Sequence, residues 1–335
     1  MKTVLVTGAT GGLGRNAVEY LLTRGVAVRA TGRNLTIGQQ LESAGAAFFP
    51  ADLAAMPYDD MRPLVEGVDA VWHCAALSSP WGRREDFLRA NATATENLLT
   101  AAGIESIPRF VHISTPALYF DFQHRWGIPE SFLADRFVNH YAATKAAAEA
   151  VIYQQVGLWP SMKQVILRPR AIFGPHDQVL IPRLDKILSK NNGRLPLPRG
   201  GATVLDLTYV TNVVHAMWLA SSAPVASGSI YNITNDDPQV LAEVLQRLFV
   251  QELGRPLKII DVPYGLLAKV ASALEFVSRF TGKEPTLTRY SIGALAFDMT
   301  LDIRRAKDEL GYAPVVSMEE GIRRTAEWIK TTNNG

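Results

Sequence analysis

The chain has 335 residues, 47% of them hydrophobic, enough to bury a large core as one large domain or two modest ones. Its 34 basic and 32 acidic residues leave a net charge of +2 with no block of like charges, which argues against nucleic acid or another polyanion as partner. A single cysteine, Cys74, excludes an internal disulfide and fits a reducing, cytoplasmic setting; no apolar run nears the roughly 18 residues of a membrane span, and the N-terminus does not read as a signal peptide.

Thr3 to Thr7 is a short apolar, β-branched run that predicts one buried parallel strand. Gly8, Gly11, Gly12 and Gly14 crowd the turn that follows, and Ala17, Val18, Leu21 and Leu22 then recur at helical spacing. Strand, glycine-rich turn and helix in this order let backbone approach a pyrophosphate, with the helix N-terminus supplying free N–H groups. Val26 to Thr31 predicts a second strand, ending at Gly32-Arg33-Asn34. An acidic residue at this strand end suits the ribose of NAD, and an arginine suits the extra phosphate of NADP. No Asp or Glu lies between Glu19 and Glu42, so Arg33 favours NADP(H) over NAD(H).

Ala46 to Pro50 is a third strand; Asp52 after it either meets adenine or caps the next turn. Asp69 to Cys74 is a fourth, and the small Ala75 and Ala76 at its carboxyl end leave room for a flat ligand. Phe87 to Ala101 predicts a helix in which Asn91 reads as a bridging residue. Arg109 to Ser114 is a fifth strand, closed by the hydroxyls of Ser114 and Thr115. Tyr119 to Asn139 reads as a loop, with Asp121 and His124 as solvated members. His140 to Gln154 predicts an alanine-rich helix, and Gln164 to Leu167 a sixth strand. Strands alternating with helices argue for a doubly wound, mostly parallel α/β sheet.

Beyond Gly174-Pro175 the pattern changes. Helices are expected at Leu180–Leu188, Val213–Ala220 and Leu241–Leu253, short strands at Asp206–Val210 and Ser229–Ile233, and a loop at Asn191–Gly201. Residues 1–171 with about 204–234 would form the dinucleotide-binding domain, and about 172–203 with 235–335 a smaller substrate-binding part. Gly265 to Phe280 is an amphipathic helix that would wall an apolar pocket, touch a membrane surface or pack on the core. A last helix starts near Met318. The six histidines lack metal-site spacing, and Cys74 at a buried strand end reads as inert.

Chemistry gathers on Thr115, Tyr141 and Lys145. Tyr141 and Lys145 are four apart and share one helix face. A phenol of pKa about 10 is a poor base at neutral pH, and a nearby ammonium favours its ionised form. Tyr141 would give a proton to a carbonyl oxygen or take one from an alcohol, with the Thr115 hydroxyl sharing the developing charge. A nicotinamide would carry the hydride.

These motifs resemble the extended short-chain dehydrogenase/reductases, the NAD-dependent epimerase/dehydratase superfamily. TGATGGLG at 7–14 matches the family's cofactor turn, and YAATK at 141–145 its active-site motif. HISTPALY at 112–119, LRPRAIFGPHD at 167–177 and DLTYVTNVVHA at 206–216 resemble further family segments. The resemblance implies catalysis by Thr115 (Ser114 as fallback), Tyr141 and Lys145. It implies cofactor contacts from Gly8, Thr10, Gly11, Gly12, Leu13, Gly14, Arg33, Asp52, Leu53, Ala75, Ala76, Tyr141, Lys145, Pro169 and Ile172, with Lys145 on the nicotinamide ribose and Pro169 to Ile172 along the carboxamide.

HCAALSSPWG after the fourth strand and LDIRRAKDELGYAP near the end are similar to the 3β-hydroxysteroid dehydrogenase-like branch. That implies ketone–alcohol interconversion on an apolar, sterol-like or β-keto acid-like substrate, and a homodimer through the helices near 87–101 and 140–155. A nucleotide-sugar epimerase with tightly held NAD and a non-catalytic NAD(P)-sensing protein are the alternatives. Pro116-Ala117 stand where the family's dehydratases carry Asp-Glu, which argues against dehydration.

Overall fold

The computed structural model of the chain describes residues 1–333. Seven strands form one fully parallel sheet: β1 (Thr3–Thr7), β2 (Ala27–Gly32), β3 (Ala47–Pro50), β4 (Ala70–His73), β5 (Arg109–Ile113), β6 (Lys163–Pro169) and β7 (Ser229–Ile233). Their order is β7-β6-β5-β4-β1-β2-β3. The chain winds outward from β1 to β3, then returns to the other side of β1 with β4. The carboxyl ends of β1 and β4 therefore flank a crevice where ligands bind in such sheets.

Side-chain alternation explains why both faces are covered. Val4 and Val6 of β1 face one way and pack with Ala17, Val18 and Leu21 of helix Gly12–Leu22 and with Val214 and Met217 of helix Val210–Ala220. Leu5 faces the other way, against Leu64 of helix Tyr58–Val65 and Leu98 and Leu99 of helix Ala94–Ile104. A strand buried on both sides reads as a continuous apolar run, as β1 does.

Two predicted loops contain strands. Within 119–139, Arg125–Ile128 pairs in parallel with Met299–Leu301 and edges a four-stranded sheet. Within 191–201, Arg194–Leu197 pairs in parallel with Lys258–Asp261. Each partner lies far off in the chain, and Gly and Pro on the flanks hide the short strands from local pattern. Asp121 and His124 do lie in the loop before strand Arg125–Ile128; half-buried Asp121 pairs with Arg125 at 2.5 Å, and exposed His124 meets Asp298 at 2.9 Å. The helix expected from Phe87 starts at Arg84 and passes through a π-helical turn, Leu88–Thr93, before Ala94–Ile104. That expected at Leu241–Leu253 likewise ends in a π-helical turn, and helices Leu35–Ser43 and Tyr58–Val65 fill crossovers that carried no prediction.

Helix Tyr264–Thr281 buries Leu267 and Ala271 against Ile292 while Leu266, Phe276, Val277 and Phe280 stay exposed. Among the described residues no helix is long and apolar enough to cross a membrane, and no cluster of His, Cys, Asp or Glu is arranged to hold a metal.

Candidate active site

The glycine-rich turn is built too tightly for side chains. Gly8 has φ +63°, and a Cβ there would sit 2.7 Å from the backbone N and Cα of Ala75 at the end of β4. A Cβ on Gly14 would lie 2.2 Å from the Gly8 carbonyl oxygen. Helix Gly12–Leu22 thus starts flush against the turn, and its N-cap, Gly11, offers no side-chain cap to the first-turn amides. Those amides and the absent side chains fit a pyrophosphate.

The segment after Gly174 covers the turn. Asn16 Nδ2 donates to the Pro175 carbonyl at 2.9 Å, and Gln178 Nε2 to the Thr10 carbonyl at 3.3 Å. Thr10 also lies against Gly32 at the end of β2. Leu13 packs between the core beneath the sheet and that of the C-terminal part.

At the adenosine end, Arg33 is exposed and makes no ion pair among the described residues, while Asn34 caps helix Leu35–Ser43. Asp52 accepts from Ala54 N at 3.2 Å and pairs with Arg89 at 2.9 Å. The Leu53 side chain is buried in the core, and its carbonyl accepts from Asn97. Ala75 is half-buried and Ala76 exposed at the end of β4; Pro169 closes β6, and Ile172 pairs with Thr208.

Thr115, Tyr141 and Lys145 converge at the carboxyl edge of β5. Asn139 caps helix His140–Gln155 through Ala142 N at 2.8 Å, placing Tyr141 in the first turn and Lys145 one turn on. Ser114 is committed elsewhere, donating to buried Glu149, so Thr115 is the strand-end hydroxyl that faces Tyr141. Burial raises the Tyr141 pKa, and the hydroxyls of Thr115 and Ser78 pull it back down. Ser78 was not singled out from sequence; it sits on the loop after β4. Asn91 holds that loop, accepting from Leu77 N at 2.7 Å and donating to Thr144 at 3.0 Å, which is the bridging role its sequence position suggested.

The Lys145 ammonium donates to the Ile113 carbonyl at 2.6 Å and meets His112 Nε2 at 2.9 Å. Desolvation pushes its pKa down to about 8, against an opposing pull from Glu149 and Cys74. His112, also buried, is held well below the usual histidine range by burial and by Lys145, so it is neutral and accepts through Nε2. Burial raises the Cys74 thiol to about 12, consistent with an inert thiol.

Two arginines, Arg168 buried and Arg170 half-buried, border this corner. Arg168 is fully paired: its guanidinium bonds Glu149 at 2.9 and 2.5 Å, Tyr119 at 2.6 Å and the Glu130 carbonyl at 2.9 Å. Arg170, two residues on, is not. Its Nε is buried with no hydrogen-bond partner, and its guanidinium makes no ion pair among the described residues. Burial raises the Tyr290 pKa, while the Arg170 charge lowers it and Tyr141 raises it. Tyr290 belongs to an aromatic cluster with Phe120 (5.6 Å between ring centroids), Phe122 and Phe297. Sequence pattern gave no hint of Tyr290, and Arg170 entered only as a member of the 169–172 stretch that the resemblance places along the carboxamide, because the importance of each lies in what surrounds it.

A fully parallel doubly wound sheet, a glycine-rich turn at its crevice and a tyrosine–lysine helix beside it define a dinucleotide-binding protein of the extended short-chain dehydrogenase/reductase class. The chain belongs to the NAD dependent epimerase/dehydratase family, which matches residues 4–234. It is 46% identical over 330 residues to "Uncharacterized protein YbjS" of Escherichia coli (strain K12), covering 98% of this chain and 97% of that one. It is 32% identical to a "2-alkyl-3-oxoalkanoate reductase" of Shewanella oneidensis (95% and 84% covered) and 29% identical to the human "Sterol-4-alpha-carboxylate 3-dehydrogenase, decarboxylating" (97% and 88%). Among solved structures, MoeE5 in complex with UDP-glucuronic acid and NAD shares the fold with a TM-score of 0.76 at 22% identity, over 98% of this chain and 99% of that one.

Proposed function

We propose that the chain is an NAD(P)-dependent oxidoreductase that interconverts a ketone and a secondary alcohol on an apolar substrate. The observation that carries this reading is the Tyr141 phenol between the Thr115 and Ser78 hydroxyls, at the carboxyl edge of a dinucleotide crevice. When bound, the nicotinamide supplies or accepts the hydride. Tyr141 donates its proton to the substrate oxygen in reduction and takes it back in oxidation. Thr115 and Ser78 orient the phenol and share charge that develops on that oxygen. Lys145, anchored by Ile113 O and His112, presents its ammonium to the nicotinamide ribose.

The cofactor-binding set is Gly8, Thr10, Gly11, Gly12, Leu13 and Gly14 at the pyrophosphate, with Ala75, Ala76, Pro169 and Ile172 along the rest of the crevice. Asp52 and Leu53 meet adenine through backbone. Exposed, unpaired Arg33 supports NADP(H) over NAD(H), since a guanidinium suits a ribose phosphate and no carboxylate stands at that strand end. The reading includes a cytoplasmic homodimer through the helices at 84–104 and 140–155, measurable by light scattering.

The aromatic cluster supports an apolar substrate over a nucleotide sugar. Two relatives are named for substrates of matching chemistry, a 3-oxoalkanoate and a sterol carboxylate oxidised at the neighbouring carbon. The test is a panel of ketones, β-keto acids and sterols assayed with both reduced cofactors. Faster turnover with NADPH is expected. Turnover equal or better with NADH removes the role of Arg33, and tightly held NAD with UDP-sugar turnover makes the chain an epimerase.

A further inference from the structure

Arg170 is half-buried, with its Nε shielded from water. Its backbone is pinned on both sides: its N–H donates to the Ile233 carbonyl at 3.0 Å, and its carbonyl accepts from Thr208 Oγ1 at 2.6 Å. The next residue, Ala171, has φ +44°, a left-handed conformation that costs a side-chain-bearing residue energy and persists only where its surroundings impose it. The chain thus leaves β6 along a fixed path that turns the Arg170 side chain inward. There its Nε is buried and bonded to nothing.

Two ionisable groups feel the Arg170 charge, and neither satisfies it. Asp206 is buried and makes no ion pair with Arg170; its Oδ2 is taken by Leu301 N at 2.7 Å. Tyr290 is the other, and the same phenol interacts with Tyr141. The guanidinium and the Tyr141 phenol both lie within electrostatic reach of Tyr290, and Arg170 follows β6 beside the end of β5 that carries Thr115. A half-buried arginine with no carboxylate partner is open to an anion from a ligand, and its planar fork matches a carboxylate. Phe120, Phe122 and Phe297 line the region beside Tyr290 with apolar surface. Gly293 lets the Tyr290 helix come that close, since a Cβ there would stand 2.7 Å from the Phe122 ring.

We propose that Arg170 binds a substrate carboxylate, so that this site acts on 3-oxo or 3-hydroxy carboxylic acids bearing an apolar tail. The acid group sits on Arg170, the oxygen of the neighbouring carbon faces Tyr141, and the tail lies on the aromatic cluster. This rests on the oxidoreductase reading above and narrows its substrate.

The test compares a 2-alkyl-3-oxoalkanoic acid with its methyl ester, at saturating reduced cofactor, in the wild type, Arg170→Gln and Arg170→Lys. The expected result is a wild-type preference for the acid of about ten- to a hundredfold in kcat/KM, the range of a charge-assisted hydrogen bond. Arg170→Gln brings that ratio close to one with ester turnover and cofactor affinity little changed, and Arg170→Lys recovers part of it. Equal loss on acid and ester, no wild-type preference, or weakened cofactor binding in Arg170→Gln overturns the proposal.

A second readout does not need turnover: calorimetric binding of a long-chain 3-hydroxy acid and its amide to the complex with reduced cofactor. If no ketone is reduced, the oxidoreductase reading fails while this arm still decides. Acid binding that beats the amide and is lost in Arg170→Gln keeps the carboxylate site, and equal binding of acid and amide removes it.

Discussion

Replacing Lys145 with methionine separates what the ammonium does for the fold from what it does for the reaction. Lys145 has a pKa of about 8 in the folded chain and the ordinary 10.5 when unfolded. Between those values the unfolded chain binds more protons, so wild-type stability rises with pH; below about 8 both states are protonated and the full cost of burying the charge is present. That cost is about 3 kcal/mol. Methionine cannot titrate. It also leaves the Ile113 carbonyl and His112 Nε2 without their donor, a penalty of about 1–3 kcal/mol per group that does not vary over this pH range. The informative quantity is therefore the difference between the two proteins as pH changes. Wild type should gain about 2 kcal/mol on Lys145→Met between about pH 7 and about pH 9.5. Urea unfolding of both proteins at the two pH values measures it, and the double difference cancels the other titrating groups. Parallel stability curves would mean that Lys145 titrates like an exposed lysine and that its buried setting is wrong. Turnover of the variant should be low at every pH.

Three further outcomes follow from the same geometry. Tyr141→Phe should lower turnover by about 10²–10⁴ while cofactor affinity changes little, and in the wild type ketone reduction should stay flat through neutral pH while alcohol oxidation rises with pH, because burial keeps the phenol protonated; stopped-flow cofactor fluorescence reads both directions. Gly14→Ala should weaken cofactor binding at least about tenfold, since its Cβ would strike the Gly8 carbonyl at 2.2 Å and open the turn; titration of NADPH fluorescence measures this. Glu149→Gln should cost about 3–5 kcal/mol in urea unfolding, because it strands the buried Arg168 guanidinium; a loss under 1 kcal/mol would show that the pair is not desolvated.

Local pattern carried the sheet and the chemistry because both are written in short stretches. Val4-Leu5-Val6, the glycines at 8 to 14, and Tyr141 with Lys145 each need only a few neighbouring residues to be read. Arg125–Ile128 and Arg194–Leu197 were missed because a strand of four residues is defined by its partner, and both partners lie in the distant C-terminal part. The choice between Ser114 and Thr115 has the same cause. Two adjacent hydroxyls look alike until Glu149, from the middle of a later helix, claims one of them. Lys145 was read as tuning Tyr141 directly, since four-residue spacing puts them on one helix face. That spacing does not show the Ile113 carbonyl and His112 that also hold the ammonium.

The contrast between Arg168 and Arg170 bears on where function lies in this fold. Both lie at the same strand end; Arg168 is removed from water and Arg170 is half-buried. Arg168 has four hydrogen bonds to Glu149, Tyr119 and Glu130, so its charge is neutralised within the protein and its role is complete without a ligand. Arg170 and Lys145 have no carboxylate in contact, and desolvation lowers the pKa of each. Nothing in folding favours two uncompensated cations around one crevice; a stable core would replace them with apolar side chains. Their persistence there is explained if anionic or hydroxyl-bearing ligands complete them. The consequence is thermodynamic: cofactor and acidic substrate together should raise the unfolding temperature by less than their separate effects combined, since each relieves part of the same crowding of positive charge. Arg170→Gln should abolish that shortfall while leaving the shift from cofactor alone.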